Sequence, residues 1–222
     1  MTLIGRREAV LAEVAGGLPR AHVAVADVTD RGQLVAAFAS ATGVFGPPDI
    51  VIANAGAAVT APFAQITADA WRGMMALNLD AVFDTAQVAL PGLRAAAHGR
   101  LIVIASTAGV RGYAYTAAYT AAKHGAVGLV RALALELAGT RVTVNAVCPG
   151  FTDTELVGGA VANIVAKTGR TVEQAVAELT RHNPQGRLID PDEVAAAVLW
   201  LCAPASRSVT GQTIMVAGGE VM

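Results

Sequence analysis

Asp49-Ile50-Val51-Ile52-Ala53-Asn54-Ala55-Gly56 decides how this chain is read. Four apolar residues in a row, without polar alternation, are the pattern of a strand buried on both faces of a parallel sheet. Asn54-Ala55-Gly56 then ends the run with polar and conformationally free residues. The same construction recurs on both sides. Arg100 to Ala105 (RLIVIA) closes on Ser106, and Arg141 to Val147 (RVTVNAV) closes on Cys148-Pro149-Gly150. Towards the N-terminus, His22 to Ala26 (HVAVA) closes on Asp27. Thr2-Leu3-Ile4 reads as the end of a strand, with Gly5-Arg6-Arg7-Glu8 turning into a helix from about Glu8 to Ala15. Thr213 to Val216 is a last strand.

Helical patterns separate these strands. Asp30 caps a helix through Ala41, and a long helical region runs from about Ala68 to Ala97, bent near Pro91. Tyr113 to Leu137 has no proline and places Val127, Val130, Leu133 and Leu137 at helical spacing. Thr152 to Arg187 reads as a loop with helical stretches. Pro191 opens a helix at its first position, with Asp192 and Glu193 favourably placed in the first turn. Strands alternating with helices imply an α/β fold: one domain, residues 1–222, built on a doubly wound parallel sheet. Ligands of such sheets bind beyond the carboxyl ends of the strands. Asp27, Asn54-Ala55-Gly56, Ser106 and Pro149-Gly150 all stand there.

Composition narrows the function classes. The 222 residues suffice for one full core. Hydrophobic residues make up 54% and aromatics 5%, so the apolar content is Ala, Val and Leu, as layered α/β proteins require. A net charge of −1 gives no electrostatic case for nucleic acid. No apolar run reaches the roughly 20 residues of a membrane span, and no signal peptide is visible, because Arg6, Arg7 and Glu8 interrupt the N-terminus. A cytoplasmic protein is expected. Cys148 and Cys202 are too few for a disulfide framework, and Cys148 reads as an inert core thiol.

Tyr119 and Lys123 carry the chemistry. Residues four apart on a helix share a face, so phenol and ammonium can point at one small volume. A nearby cation favours the phenolate, and the expectation is a tyrosine pKa lowered from its usual value of about 10. Such a tyrosine exchanges a proton with an alcohol or carbonyl oxygen. Alone, such a pair reads first as a packed aromatic and a solvated lysine.

The pieces together resemble the short-chain dehydrogenase/reductase family, and the resemblance runs from residue 1 to residue 222. It rests on Asn54-Ala55-Gly56 after DIVIA, Asn78 in LNLDAVF, Ser106 in IVIASTAG and Tyr119 with Lys123. Pro149-Gly150-Phe151-Thr152-Asp153-Thr154 and Val209-Thr210-Gly211-Gln212 complete it. The implied fold is a Rossmann-type sheet, and the implied activity interconverts a secondary alcohol and a ketone. Tyr119 would be the acid/base. Ser106, thirteen residues earlier as in the family, would hydrogen-bond the substrate oxygen. That spacing selects Tyr119 over Tyr113 and Tyr115, neither of which has a lysine four residues on. Asn78 would hold a water linking Lys123 to solvent.

The resemblance also implies a cofactor site. Asp27, with Val28 beside it, would lie at the adenine. Asn54, Ala55 and Gly56 resemble the family's NNAG, with Ala53 replacing its first Asn. Tyr119, Lys123, Pro149, Gly150, Thr152 and Thr154 would lie at the nicotinamide end. An acid at the end of the first strand here would suit NAD, and arginine suits the 2′-phosphate of NADP. Gly5-Arg6-Arg7 therefore favours NADP(H), with NAD(H) second. No metal is implied. The Thr152 to Arg187 insertion is similar to that of members acting on 3-hydroxyacyl or 3-oxoacyl thioesters. The resemblance also implies a homotetramer, built partly on the helices around Asn78 and Tyr119. Singly, Asp27 could be a strand cap, Asn78 a satisfied buried amide, Thr152 and Thr154 turn caps, and Arg6-Arg7 a solvated pair.

One family feature has no counterpart. The glycine-rich TGxxxGxG turn that cradles the pyrophosphate is missing, and Thr2-Leu3-Ile4 matches the family's second strand. The resemblance thus implies an N-terminally truncated fold, with first strand and first helix missing. It predicts a gap or strain where the central strand belongs, poor solubility and weak cofactor binding. It also predicts that Met1 is not the natural start and that the upstream reading frame continues through about thirty codons. The competing function is a catalytically impaired family member acting as a binding or interaction protein. Tight NADPH binding would discriminate the two.

Overall fold

The computed structural model describes residues 1–222. Its strands are β1 (Thr2–Gly5), β2 (His22–Val25), β3 (Ile50–Ala53), β4 (Arg100–Ile104), β5 (Thr143–Pro149) and β6 (Thr213–Val216). The principal helices are α1 (Glu8–Gly16), α2 (Arg31–Phe45), α3 (Ala68–Met75), α4 (Ala81–Ala95), α5 (Ala117–Glu136), α6 (Glu155–Thr168), α7 (Val172–Thr180) and α8 (Pro191–Cys202). All pairing is parallel, as the strand–helix alternation requires.

The strands form two sheets. β1 pairs only with β2, and the second sheet runs β3-β4-β5-β6. β1 and β3 each use one edge alone, so the expected interruption is present. α2 spans it, packing on both β2 and α4. Arg31 on α2 reinforces that join through Asp84 and Gln87 of α4.

The larger sheet is layered on both faces. α4 supplies Ala86, Ala89 and Leu93, and α5 supplies Ala126, Val127, Val130 and Ala134, to one core with Leu101, Val103, Val144 and Ala146. On the other face α8 sets Val198 and Leu201 against Ile102 and Val147. Alanine on the helices lets α5 lie close. Where the turn after β4 crosses α5, a Cβ on Gly109 would stand 2.9 Å from Val127 Cγ2 and 3.0 Å from the Lys123 carbonyl oxygen. The smaller sheet has only a cluster of Ala24, Ala26 and Ala37 with Ile4 against it, and α1 buries no residue.

Several boundaries depart from the sequence reading. β3 is not buried on both faces: Val51 and Ala53 pack under α4, whereas Ile50 and Ile52 are each 44% exposed. A strand paired on one edge and covered on one face cannot hide both rows of side chains. The region from Ala68 to Ala97 is not one uninterrupted α-helix. A π turn, Ala76–Asp80, divides α3 from α4, and Pro91 lies inside α4. Helix α5 begins at Ala117, leaving Tyr113 to Thr116 in a separate turn. β5 begins at Thr143 and runs on through Pro149. Asp30 caps α2 by accepting from Gln33 N, and Asp190 and Glu193 form a capping box on α8.

Candidate active site

Tyr119 lies in the first turn of α5 and Lys123 one turn on. Lys123 is only 3% exposed. Its Nζ donates 2.8 Å to the carbonyl oxygen of Ile104, the last residue of β4, and stands 5.8 Å from the Tyr119 ring centroid. Ser106 follows β4 two residues later, and its Oγ accepts from Ala108 N at 3.1 Å. Helix α5 is therefore pinned to the strand end that carries Ser106.

The electrostatics differ from expectation. Burial pushes the Tyr119 phenol above its ordinary value, and a hydrogen bond with Ser106 only partly opposes this. Burial also lowers Lys123 to about 8. The lysine does not depress the tyrosine. Both groups lose hydration, and desolvation favours the neutral form of each. Tyr119 thus stands as a protonated phenol at neutral pH. Cys148 lies beside them, fully buried, with its thiol pushed up by burial, as an inert core thiol should be.

Asn78 sits fully buried in the π turn. Such turns recur at functional sites because they aim one side chain out of helical register. Its Nδ2 donates to the carbonyl oxygens of Ala57 at 3.0 Å and Met74 at 3.1 Å. Its Oδ1 has no partner. A Cβ on Gly56 would meet that Oδ1 at 3.0 Å and Lys123 Nζ at 3.5 Å. Gly56, Asn78 and Lys123 thus converge on one point, which a side chain at position 56 would crowd.

The other expected site residues line the carboxyl edge of the strands. Asn54 and Ala55 are exposed after β3, and Pro149, Gly150 and Thr152 are half-buried after β5. The Thr152 hydroxyl donates to Gly150 O at 3.1 Å, and the Thr154 hydroxyl to Thr152 O at 3.3 Å. Both hydroxyls serve the local turn. Asp27 Oδ1 accepts from the Thr29 hydroxyl and backbone N, which holds its carboxyl below the usual range. Val28 lies half-buried beside it. Arg6 approaches Asp27 at 3.7 Å, and Arg7 reaches Glu155 on α6 at 3.4 Å. Both arginine side chains stay largely exposed, at 73% and 69%.

Sequence reasoning missed a second network. Tyr113 donates 2.7 Å to Glu220 Oε1 and lies 2.8 Å from the Thr107 hydroxyl. A carboxylate only accepts, so the phenol proton points to Glu220 and Thr107 donates to Tyr113. Glu220 is buried, its Oε2 would stand 3.2 Å from a Cβ on Gly150, and Arg111 Nη1 donates to its backbone carbonyl at 3.3 Å. Burial first, then Glu220, push Tyr113 up to about 12, against the hydrogen bond from Thr107. The C-terminal segment is thereby fastened to the turn after Ser106 and to the Pro149-Gly150 turn. Tyr115, next in that turn, is exposed and holds a left-handed φ of 66°, with its carbonyl accepting from Ala61 N at 2.9 Å. The one available signal was Glu220 itself, a lone charge in an apolar, glycine-rich ending.

No group of three or more His, Cys, Asp or Glu side chains could hold a metal ion, and no helix is long and apolar enough to cross a membrane. Residues 1–220 match the family profile described as enoyl-(acyl carrier protein) reductase. The chain belongs to the short-chain dehydrogenase/reductase family. It is 39% identical to a D-beta-hydroxybutyrate dehydrogenase of Cupriavidus necator, over 88% of this chain and 76% of that one. An acetoacetyl-CoA reductase of Shinella zoogloeoides is 34% identical over 87% of this chain and 76% of its own. Among solved structures, a point variant of the actinorhodin polyketide ketoreductase with NADPH superposes with a TM-score of 0.93 at 32% identity. That match covers 99% of this chain and 86% of the other. In this short-chain dehydrogenase/reductase, Arg6 and Arg7 alone join β1 to α1.

Proposed function

We propose that this chain is an NADP(H)-dependent oxidoreductase that interconverts a secondary alcohol and a ketone, with 3-oxoacyl and 3-hydroxyacyl thioesters as the substrate class. The observation that carries the reading is the convergence of Ser106, Tyr119 and Lys123 at the carboxyl edge of the sheet, with the Tyr119 phenol held protonated by burial. The names of the relatives, a hydroxybutyrate dehydrogenase and an acetoacetyl-CoA reductase, favour a 3-oxoacyl skeleton.

The residues present fit the cofactor. Gly56 leaves space beside Asn78 Oδ1 and Lys123 Nζ, and Asn78 Oδ1 is an acceptor without a partner. Asn54, Ala55, Gly56, Tyr119, Lys123, Pro149, Gly150, Thr152 and Thr154 would hold the nicotinamide end, and Asp27 and Val28 the adenine end. Arg6 and Arg7 would take the 2′-phosphate. Their pairs with Asp27 and Glu155 are solvent-exposed, so a phosphate dianion can displace them. When bound, the cofactor supplies the hydride.

The chain's own residues do the rest. Ser106 donates a hydrogen bond to the carbonyl oxygen, where negative charge develops. Tyr119 donates its phenol proton to that oxygen, completing the alcohol. Lys123, brought near neutrality by burial, returns a proton to the phenolate. Asn78 Oδ1, beside Lys123, anchors the path by which the lysine recovers its own. A protonated Tyr119 suits reduction of the ketone in particular.

The same reading places the enzyme in the cytoplasm as a homotetramer. Phe83 on α4, Leu135 on α5, and Leu199 and Trp200 on α8 are large apolar side chains left exposed, which favours burial against further copies. The deciding assay follows NADPH absorbance with an acetoacetyl thioester. Substrate-dependent oxidation, abolished in Tyr119→Phe, is expected. Tight NADPH binding without turnover on any 3-oxoacyl thioester would contradict the reading and favour a binding protein.

A further inference from the structure

The opposite edge of the larger sheet, where β4 and β5 begin, carries a second cavity. Its volume is about 480 Å³, and its lining includes His98, Arg100, Thr140, Arg141, Arg207 and Ser208. No acidic residue lines it. Arg100 and Thr143, opposite each other in register, form its floor from β4 and β5.

Arg100 is the unusual member. It is 1% exposed. Its Nη1 donates to Gly99 O at 2.9 Å and its Nη2 to Ala203 O at 3.3 Å. Its Nε has no partner. No carboxylate lies within salt-bridge distance of Arg100, Arg141 or Arg207, although the chain's ion pairs engage eight other arginines. A guanidinium cannot shed its proton to escape burial, and a buried charge is retained where something compensates it. Two carbonyls leave Arg100 with its charge uncompensated and its Nε without an acceptor. Arg141 and Arg207 add two unpaired cations to the wall, and the Thr140 and Ser208 hydroxyls add neutral donors.

We propose that this cavity binds a phosphate-bearing anion, either inorganic phosphate or the phosphate end of a monoester, at a site separate from the coenzyme cleft. Guanidinium forks match phosphate oxygens in pairs. The volume lies within the range of small-molecule sites, leaving room for an organic group behind the phosphate. An anion here joins the start of β4, the start of β5 and the turn after α8, so binding stabilises the larger sheet from the edge away from Tyr119.

The test is calorimetric titration of the full chain with sodium phosphate, glycerol 3-phosphate and sodium chloride. It is repeated in Arg6→Gln/Arg7→Gln, which removes the phosphate end of the coenzyme site, and in Arg141→Gln/Arg207→Gln. Both latter arginines are exposed, so the fold does not depend on them. Saturable phosphate binding is expected in the parent and in Arg6→Gln/Arg7→Gln, weakened about tenfold or more in Arg141→Gln/Arg207→Gln. NADPH turnover by that last variant stays at the parent value. Equal affinity for the two phosphates means the phosphate group alone is read, and tighter glycerol 3-phosphate means the organic group is read too; both support the site. Chloride binding as well as phosphate, loss of binding in Arg6→Gln/Arg7→Gln, or unchanged affinity in Arg141→Gln/Arg207→Gln would each overturn it.

Discussion

The two sheets differ in how much of the protein stands behind them. In the larger one β5 is buried from Thr143 to Cys148, helices cover both faces, and Lys123 is locked between α5 and β4. In the smaller one three alanines and Ile4 make the core, α1 buries nothing, and β1 has an unpaired edge. The residues proposed for proton transfer stand on the first. Arg6, Arg7, Asp27 and Val28, assigned to the adenosine end of the cofactor, stand on the second. The chemistry is thus preorganised by a full core, whereas the adenosine end is held by a thin layer joined chiefly through α2. Geometry that decides proton transfer needs the rigid half; a ligand can supply order to the other half by binding.

The largest break in that comparison comes from Tyr119→Phe. Removing one hydroxyl from the rigid half should cut kcat by about 10²–10⁴, with little change in the unfolding midpoint. Steady-state kinetics that retain more than roughly a tenth of the parent kcat would remove Tyr119 from its role.

A smaller effect is expected on the other half. Arg6→Gln with Arg7→Gln should weaken NADPH about tenfold and leave NADH nearly unchanged, because only the 2′-phosphate is lost as a partner. Fluorescence titration of both cofactors measures it. Equal losses for the two would move the arginines away from the 2′-phosphate.

Lys123 sharpens the comparison through pH. Its folded pKa is lowered to about 8 from an ordinary 10.5. Below pH 8 both states hold the proton and burial of the charge opposes folding. Between the two values the unfolded chain holds more protons, so stability rises with pH. The stability difference between the parent and Lys123→Met should therefore shift in favour of the parent across that window. Urea titrations at pH 7 and pH 9.5 read it, and a constant difference would mean that Lys123 is not desolvated.

The smallest effect concerns Glu220→Gln. Burial keeps Tyr113 high in either case, but the carboxylate's share of the rise disappears. Ultraviolet titration should show one tyrosine ionising at lower pH than in the parent, accompanied by a modest fall in kcat.

How legible all this was depended on distance along the chain. Tyr119 and Lys123 were legible because helix geometry converts a spacing of four into contact. Ser106 was legible because a strand end has a fixed place in a parallel sheet. The divided sheet was expected from the missing glycine-rich turn. Asn78 was found by resemblance, but its π turn was not, since π hydrogen bonding leaves no residue signature. Glu220 meets Tyr113 across 107 residues, a contact no local pattern announces. The tyrosine pKa was misjudged because sequence shows the charge of Lys123 and not the burial of both groups. Arg100 read as a strand boundary; only the fold shows it buried.

Amide hydrogen exchange, with and without saturating NADPH, tests the contrast between the two sheets most directly. Peptides covering β1, α1 and β2 should exchange early in the free protein and become protected with NADPH, while those covering β4, α5 and β5 remain slow in both. Equal protection of the two sheets in the free protein, or no change in β1 and β2 on adding NADPH, would contradict the account.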